Sequence, residues 1–146
     1  MNSKILFLCT GNYYRSRFAE VLFNHLTSAA NVAWRADSRG LAMDLARRNV
    51  GPISPYAIEA LATRGITLPT PMRFPRGLQR FELEHSQRIV AMKESEHRPL
   101  LLARFPEWTE RVEYWHIDDV DVAEPHVALT QLEHNLRELI TRLHAR

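Results

Sequence analysis

With 146 residues, 45% of them hydrophobic and 25% charged, and a formal net charge of +2, the chain has the make-up of one compact globular domain, expected to span residues 1–146. No stretch nears the roughly 18 apolar residues that cross a bilayer, and the run Ile5 to Leu8 is too short for a signal-peptide core, which excludes a membrane protein and points to a soluble one. The lone cysteine, Cys9, excludes an internal disulfide and fits a reducing cytoplasm.

Lys4 to Cys9 reads as a short buried strand, and Arg15 to Ser28 as a helix with Phe18, Val21, Leu22 and Leu26 on one face. Val32 to Ser38 alternates as a second strand, and Gly40 to Gly51 is irregular. Ser54 is an N-cap with Pro55 at the first helical position, and Gly65 closes a helix over Pro55 to Arg64. The stretch from Leu68 to Arg80, broken by Pro69, Pro71, Pro75 and Gly77, predicts a surface connection. Arg88 to Met92 follows as a third strand, Ser95 to Ala103 as a helix, and Val112 to Trp115 as a fourth strand. Leu129, Leu132, Leu136, Leu139 and Leu143 then stripe a C-terminal helix. Alternating strands and helices predict an α/β three-layer sandwich: a four-stranded parallel sheet, helices on both faces, flavodoxin-like, with ligands beyond the carboxyl ends of the strands.

The basic residues are nearly all arginine, Lys4 and Lys93 being the exceptions. Arginine suits bidentate phosphate recognition, although a solvated surface bias explains the excess as well. No basic run with interleaved aromatics occurs, so no nucleic-acid partner is expected.

The segment "CTGNYYRS", Cys9 to Ser16, forms the turn between the first strand and the first helix. Amides of such a turn converge on tetrahedral oxyanions, the helix N-terminus adds partial positive charge, and Gly11 permits close approach. The same field favours a thiolate at Cys9. A cysteine ending an apolar strand is otherwise an inert small hydrophobe; the combination of Cys9, Gly11, Asn12, Arg15 and Ser16 in a strand-loop-helix setting is what points to a phosphate site.

Cys-x-Gly-Asn-x-x-Arg-Ser after an N-terminal strand resembles the signature of the low-molecular-weight protein tyrosine phosphatases, whose fold is called phosphotyrosine phosphatase I-like. Ala36 to Gly40, Gly65-Ile66, Ile89 to Met92 and Trp115 to Asp119 extend the likeness. The resemblance implies a protein-tyrosine phosphatase that needs no metal or cofactor. Cys9 would attack phosphorus to form a phosphocysteine, and Arg15 would hold two equatorial oxygens. The amides of Thr10, Gly11, Asn12, Tyr13, Tyr14 and Arg15 would complete the cradle. By the same likeness Ser16 would hydrogen-bond the thiolate and Asn12 would hold the loop in shape. The substrate would be a phosphotyrosine protein or small aryl phosphate, and the product inorganic phosphate.

A leaving phenolate needs a proton, and the dense acidic cluster is "WHIDDVD", Trp115 to Asp121. The family places its acid in an Asp-Pro pair. Here Asp119 aligns by its distance from Trp115, with Val120 where proline would stand, so Asp119 is expected to be the acid and Asp118 and Asp121 are alternatives. The cluster lacks the glycine and distal glutamate of a calcium loop, and no histidine lies at zinc-ligand spacing from another or from Cys9. Three further departures stand out. Tyr14 replaces the second loop cysteine of many family members. Arg17 replaces a usual proline, either adding charge beside the site or facing solvent. Tyr13 and Tyr14 either stack on an aromatic substrate or pack against the protein. Arsenate reduction on this scaffold needs further cysteines, which the chain lacks. Two other readings remain: a phosphate- or phosphoprotein-binding module with weak or no turnover, and a flavin mononucleotide binder.

Overall fold

A computed structural model describes residues 2–144. The centre of the fold is β1 (Ser3–Cys9), in which Ile5, Phe7 and Cys9 enter one apolar cluster while Leu6 and Leu8 enter the other. A strand buried on both faces belongs in the middle of a parallel sheet. It pairs in parallel with β2 (Trp34–Gly40) on one side and β3 (Arg88–Ala91) on the other, and β4 (Glu113–Tyr114) lies outside β3. The order β2-β1-β3-β4 places a topological switch point next to β1, and an open α/β sheet binds ligands at the carboxyl end of its switch point. Cys9 is the last residue of that strand.

One face is covered by α1 (Arg15–Ala30), α2 (Pro55–Ala62) and α5 (Pro125–His144), which contribute Phe18, Leu22, Leu61 and the leucine stripe of the last helix. The other face carries α3 (Arg80–Glu84) and α4 (Glu94–Arg104), with Leu83 and Leu101 packed beside Trp108 and Val112. This is the expected three-layer α/β sandwich. Among the described residues no helix is long and apolar enough to cross a membrane.

Several boundaries differ from the sequence reading. α1 runs to Ala30, Asn31 adopts the left-handed conformation at φ 55°, and the amide of Val32 donates to the Thr27 carbonyl (2.9 Å). Asn31 therefore caps the helix, the Val32 amide closes its last turn, and β2 begins only at Trp34. That strand continues to Gly40 because Ser38, Arg39 and Gly40 stay in register with Phe7, Leu8 and Cys9. α2 stops at Ala62, and Gly65 turns the chain at φ 76°. α3 falls where no element was expected; it starts with half a capping box, the Glu82 carboxylate accepting from the Gln79 amide at 3.1 Å. β4 retains only two of its four expected residues.

Candidate active site

β1 ends in Cys9 and α1 begins at Arg15, with no side chain capping the helix at Tyr14. The first-turn amides of α1 therefore keep their donors for a ligand. The Cys9 Sγ lies 2.9 Å from the Ser16 Oγ. Below the loop sits Asn12, buried and held at φ 52°, a left-handed conformation that asparagine tolerates better than most residues. Its amide nitrogen donates to Ser16 Oγ (2.9 Å) and Ser38 Oγ (2.8 Å), and its oxygen accepts from the Arg76 amide (3.0 Å) and the Arg73 guanidinium (3.1 Å). Arg73 also reaches the Ser38 carbonyl (2.9 Å), Glu20 and Asp37. The proline-rich stretch between residues 68 and 80 is thus more than a surface connection, because it buttresses the loop from behind.

Two glycines make room for this loop. A Cβ on Gly40 would sit 2.9 Å from the Thr10 carbonyl oxygen and 2.5 Å from the Met43 sulfur. A Cβ on Gly11 would meet the Ala46 Cβ at 2.5 Å, so the missing side chain admits the segment after β2 against the loop. That segment contains the 3₁₀ turn Met43–Ala46 and forms one wall of the site.

Arg15, 2% exposed, reaches over the carboxyl end of the sheet. Its NH1 donates to the Ile117 carbonyl (3.0 Å) and to Glu96 Oε1 (3.0 Å), and its NH2 donates to Glu96 Oε2 (2.7 Å). Burial alone would lower the Arg15 pKa, but the Glu96 hydrogen bond and the charges of Cys9 and Asp119 raise it above its usual value. Glu96 is drawn the opposite way. Burial opposes its ionisation, and hydrogen bonds from His97, Arg15 and Thr10 overcome that to hold it well below the ordinary carboxylate range.

The acidic segment leaves β4 at the same sheet edge. Asp119 Oδ2 lies 3.5 Å from Arg15 NH2, and its Oδ1 accepts from the Val120 amide at 2.8 Å. Asp118 turns to Lys93 (2.6 Å), whose ammonium holds its carboxyl below the usual range, and to His116 (3.6 Å). Asp121 is exposed.

A cavity of about 380 Å³ gathers Cys9, Thr10, Gly11, Tyr13, Tyr14, Arg15 and Asp119, with Leu45, Pro55, Tyr56 and Val120 at its sides. Asn12 and Ser16 are buried beneath the loop and act on it from below. Tyr14 packs edge-on against Tyr56, ring centroids 6.4 Å apart, and burial, aided by the charge of Asp119, pushes its pKa up to about 12. The Tyr13 hydroxyl donates to the Val50 carbonyl at 2.7 Å. Arg17 does not face solvent: it is fully buried, no group among the described residues accepts from its guanidinium, and burial lowers its pKa. A larger groove of about 980 Å³ between the acidic segment and α5 is lined by His116, His126 and His134, but it brings no nucleophile to an anion cradle. Among the described residues no group of three or more His, Cys, Asp or Glu side chains is arranged to hold a metal ion.

Glu96, His97, Ser38, Arg73 and Gly40 belong to this constellation and escaped the sequence reading. Glu96 and His97 look like any polar positions of a helix, and Ser38, Arg73 and Gly40 meet the loop only through residues distant in the chain. A family model, "Low molecular weight phosphotyrosine protein phosphatase", matches residues 4–146. No curated protein matches the chain. Among solved structures, the fold is similar to a low molecular weight protein tyrosine phosphatase from T. tengcongensis at 24% identity and TM-score 0.80, covering 97% of this chain and 99% of that one. Vibrio vulnificus Wzb in complex with benzylphosphonate is similar at 18% identity and TM-score 0.79, with 97% and 99% covered. The YwlE arginine phosphatase from Geobacillus stearothermophilus is similar at 22% identity and TM-score 0.76, with 98% and 94% covered.

Proposed function

The chain belongs to the low molecular weight phosphotyrosine protein phosphatase family, a family of cysteine-dependent phosphatases, and on that premise we propose that it hydrolyses aryl phosphomonoesters, phosphotyrosine among them, through a phosphocysteine at Cys9. In the first half-reaction the Cys9 sulfur attacks phosphorus in line with the ester oxygen. The S–P bond forms as the P–O bond breaks, and Asp119 gives its proton to the departing phenolate oxygen. In the second, water attacks the phosphocysteine, Asp119 takes a proton from that water, and the thiolate leaves with inorganic phosphate as product. Charge gathering on the equatorial oxygens is met by Arg15 and by amides of residues 10–15 at the N-terminus of α1. The Ser16 hydroxyl, 2.9 Å from the sulfur, stabilises the thiolate as nucleophile and as leaving group.

The observation that carries this reading is a single cavity with Cys9 and Arg15 in its floor, Asp119 at its edge and Tyr13, Tyr14 and Tyr56 in its walls. Three aromatic rings and Pro55 favour a flat aryl group over an aliphatic one. The benzylphosphonate bound to Wzb is a ligand of the same shape on a similar fold. A phosphoarginine substrate, suggested by the arginine phosphatase among the similar structures, would place a cationic guanidinium beside Arg15. With no resolving thiol near Cys9, turnover requires a reducing compartment, for which we take the cytoplasm.

The test compares wild type and Cys9→Ser on p-nitrophenyl phosphate, a phosphotyrosine peptide and a phosphoarginine peptide. We expect hydrolysis of the first two, lost in the variant, and a trapped phosphocysteine in rapid-quench mass spectrometry. An inactive wild type that still binds phosphate would make the protein a phosphate-binding module, and preference for phosphoarginine would reassign the substrate.

A further inference from the structure

Arg15 has five N–H donors in a planar fork. Two on NH1 are taken by the Ile117 carbonyl and Glu96 Oε1, and one on NH2 by Glu96 Oε2. What remains is the Nε–H and the second NH2 hydrogen, a parallel pair along the other edge of the guanidinium. Two parallel donors are what two equatorial oxygens of a phosphoryl group accept.

Glu96 is itself held in place. It accepts from the Thr10 hydroxyl, and its Oε2 lies 3.2 Å from His97 Nε2. The Nδ1 of His97 accepts from the Lys93 amide (3.0 Å), so its hydrogen sits on Nε2, aimed at Glu96 and at Thr10 Oγ1 3.1 Å away. His97 is fully buried, and burial pushes its pKa down, so it serves as a neutral donor. The chain from the Lys93 amide through His97 and Glu96 to Arg15 therefore ties the first turn of α4 to the anion cradle across the sheet.

We propose that Glu96 is a positioning residue, which holds the guanidinium of Arg15 by one edge so that its Nε edge faces the reacting phosphoryl group. Glu96 is not among the residues lining the cavity and acts through Arg15. Without it, the nearest carboxylate to Arg15 is Asp119 Oδ2 at 3.5 Å, and the arginine pairs with the group assigned to protonate the leaving oxygen. The proposal rests on the phosphatase reading above and adds to it a residue outside the loop motif.

The experiment measures kcat and KM on p-nitrophenyl phosphate, and the dissociation constants of orthovanadate and inorganic phosphate by calorimetry, for wild type, Glu96→Ala and Glu96→Gln. The alanine variant is expected to lose about 100-fold in kcat and the glutamine variant about tenfold, with KM within about threefold, because the lost alignment is felt most by the five-coordinate state. Vanadate, which mimics that state, should weaken about tenfold in Glu96→Gln while phosphate weakens about threefold or less. The isosteric glutamine keeps the test valid where alanine fails to fold. Wild-type kcat and vanadate affinity in Glu96→Gln would overturn the proposal, as would equal weakening of both anions in step with a lowered melting temperature. If wild type turns over no substrate, the phosphatase reading falls, while the ratio of vanadate to phosphate binding still decides the role of Glu96.

Discussion

The cradle and the acidic segment sit at the same edge of the sheet and are built in opposite ways. Around the cradle, Asn12, Ser16, Ser38 and Arg15 are buried, and hydrogen bonds reach them from β2, the stretch between residues 73 and 76, α4 and Ile117. Asp119 is 39% exposed, and its close contacts are its neighbour's amide and one edge of Arg15. A preorganised cradle spends no energy on reorganisation when charge develops. A loosely held acid can reach a leaving oxygen whose position varies with the substrate. The contrast implies that phosphate chemistry and leaving-group chemistry separate by mutation.

The largest effect is expected for Cys9→Ser, which removes turnover to background while phosphate binding, read by calorimetry, survives. Loss of binding as well would mean that the sulfur shapes the cradle and does not only react. Next comes Asp119→Ala: hydrolysis of phenyl phosphate is expected to fall by about 100- to 1,000-fold and that of p-nitrophenyl phosphate by about tenfold or less, since a good leaving group needs little protonation. Equal losses on both substrates would erase the distinction between the two regions and move the acid elsewhere.

Asn12→Ala attacks the cradle from below. It forces an alanine into a left-handed conformation and leaves the Arg76 amide and one Arg73 donor without their acceptor. We expect about 2–3 kcal/mol of lost stability in denaturant unfolding and similar fractional losses of activity on both aryl substrates. A substrate-dependent loss would show that the cradle also governs the acid. The smallest effect concerns pH. The Glu96 carboxyl has a folded pKa depressed below its ordinary value of 4.5, so its contribution to stability is present above that pH and lost as pH falls below it. Wild type should therefore destabilise more steeply than Glu96→Gln between about pH 4.5 and 3 in acid unfolding; parallel curves would sever Glu96 from the cradle's energetics.

Much of the architecture was legible because it is local. Phe18 and Leu22 recur at helical spacing, Ser54-Pro55 and Gly65 bracket α2, and the leucine stripe of α5 is unbroken from Leu129 to Leu143. α3 was missed because five residues hold too little periodicity to register. β2 starts later than its alternating pattern implies because Val32 and Ala33 follow the cap of α1, and only pairing with β1 shows how far it extends.

Order along the chain was enough to derive an alternating α/β sandwich and to set Cys9, Gly11, Asn12, Arg15 and Ser16 in one strand-to-helix turn, since residues within eight positions of each other cannot separate once their elements form. The distance from Trp115 already favoured Asp119 over Asp118, but only the folded chain shows what each faces, Lys93 for Asp118 and Arg15 for Asp119. Likewise, nothing in the spacing joins Glu96 to Arg15, 81 residues earlier. That pairing depends on β1 and β3 lying side by side in the sheet, so that the loop leaving each strand opens onto the same edge.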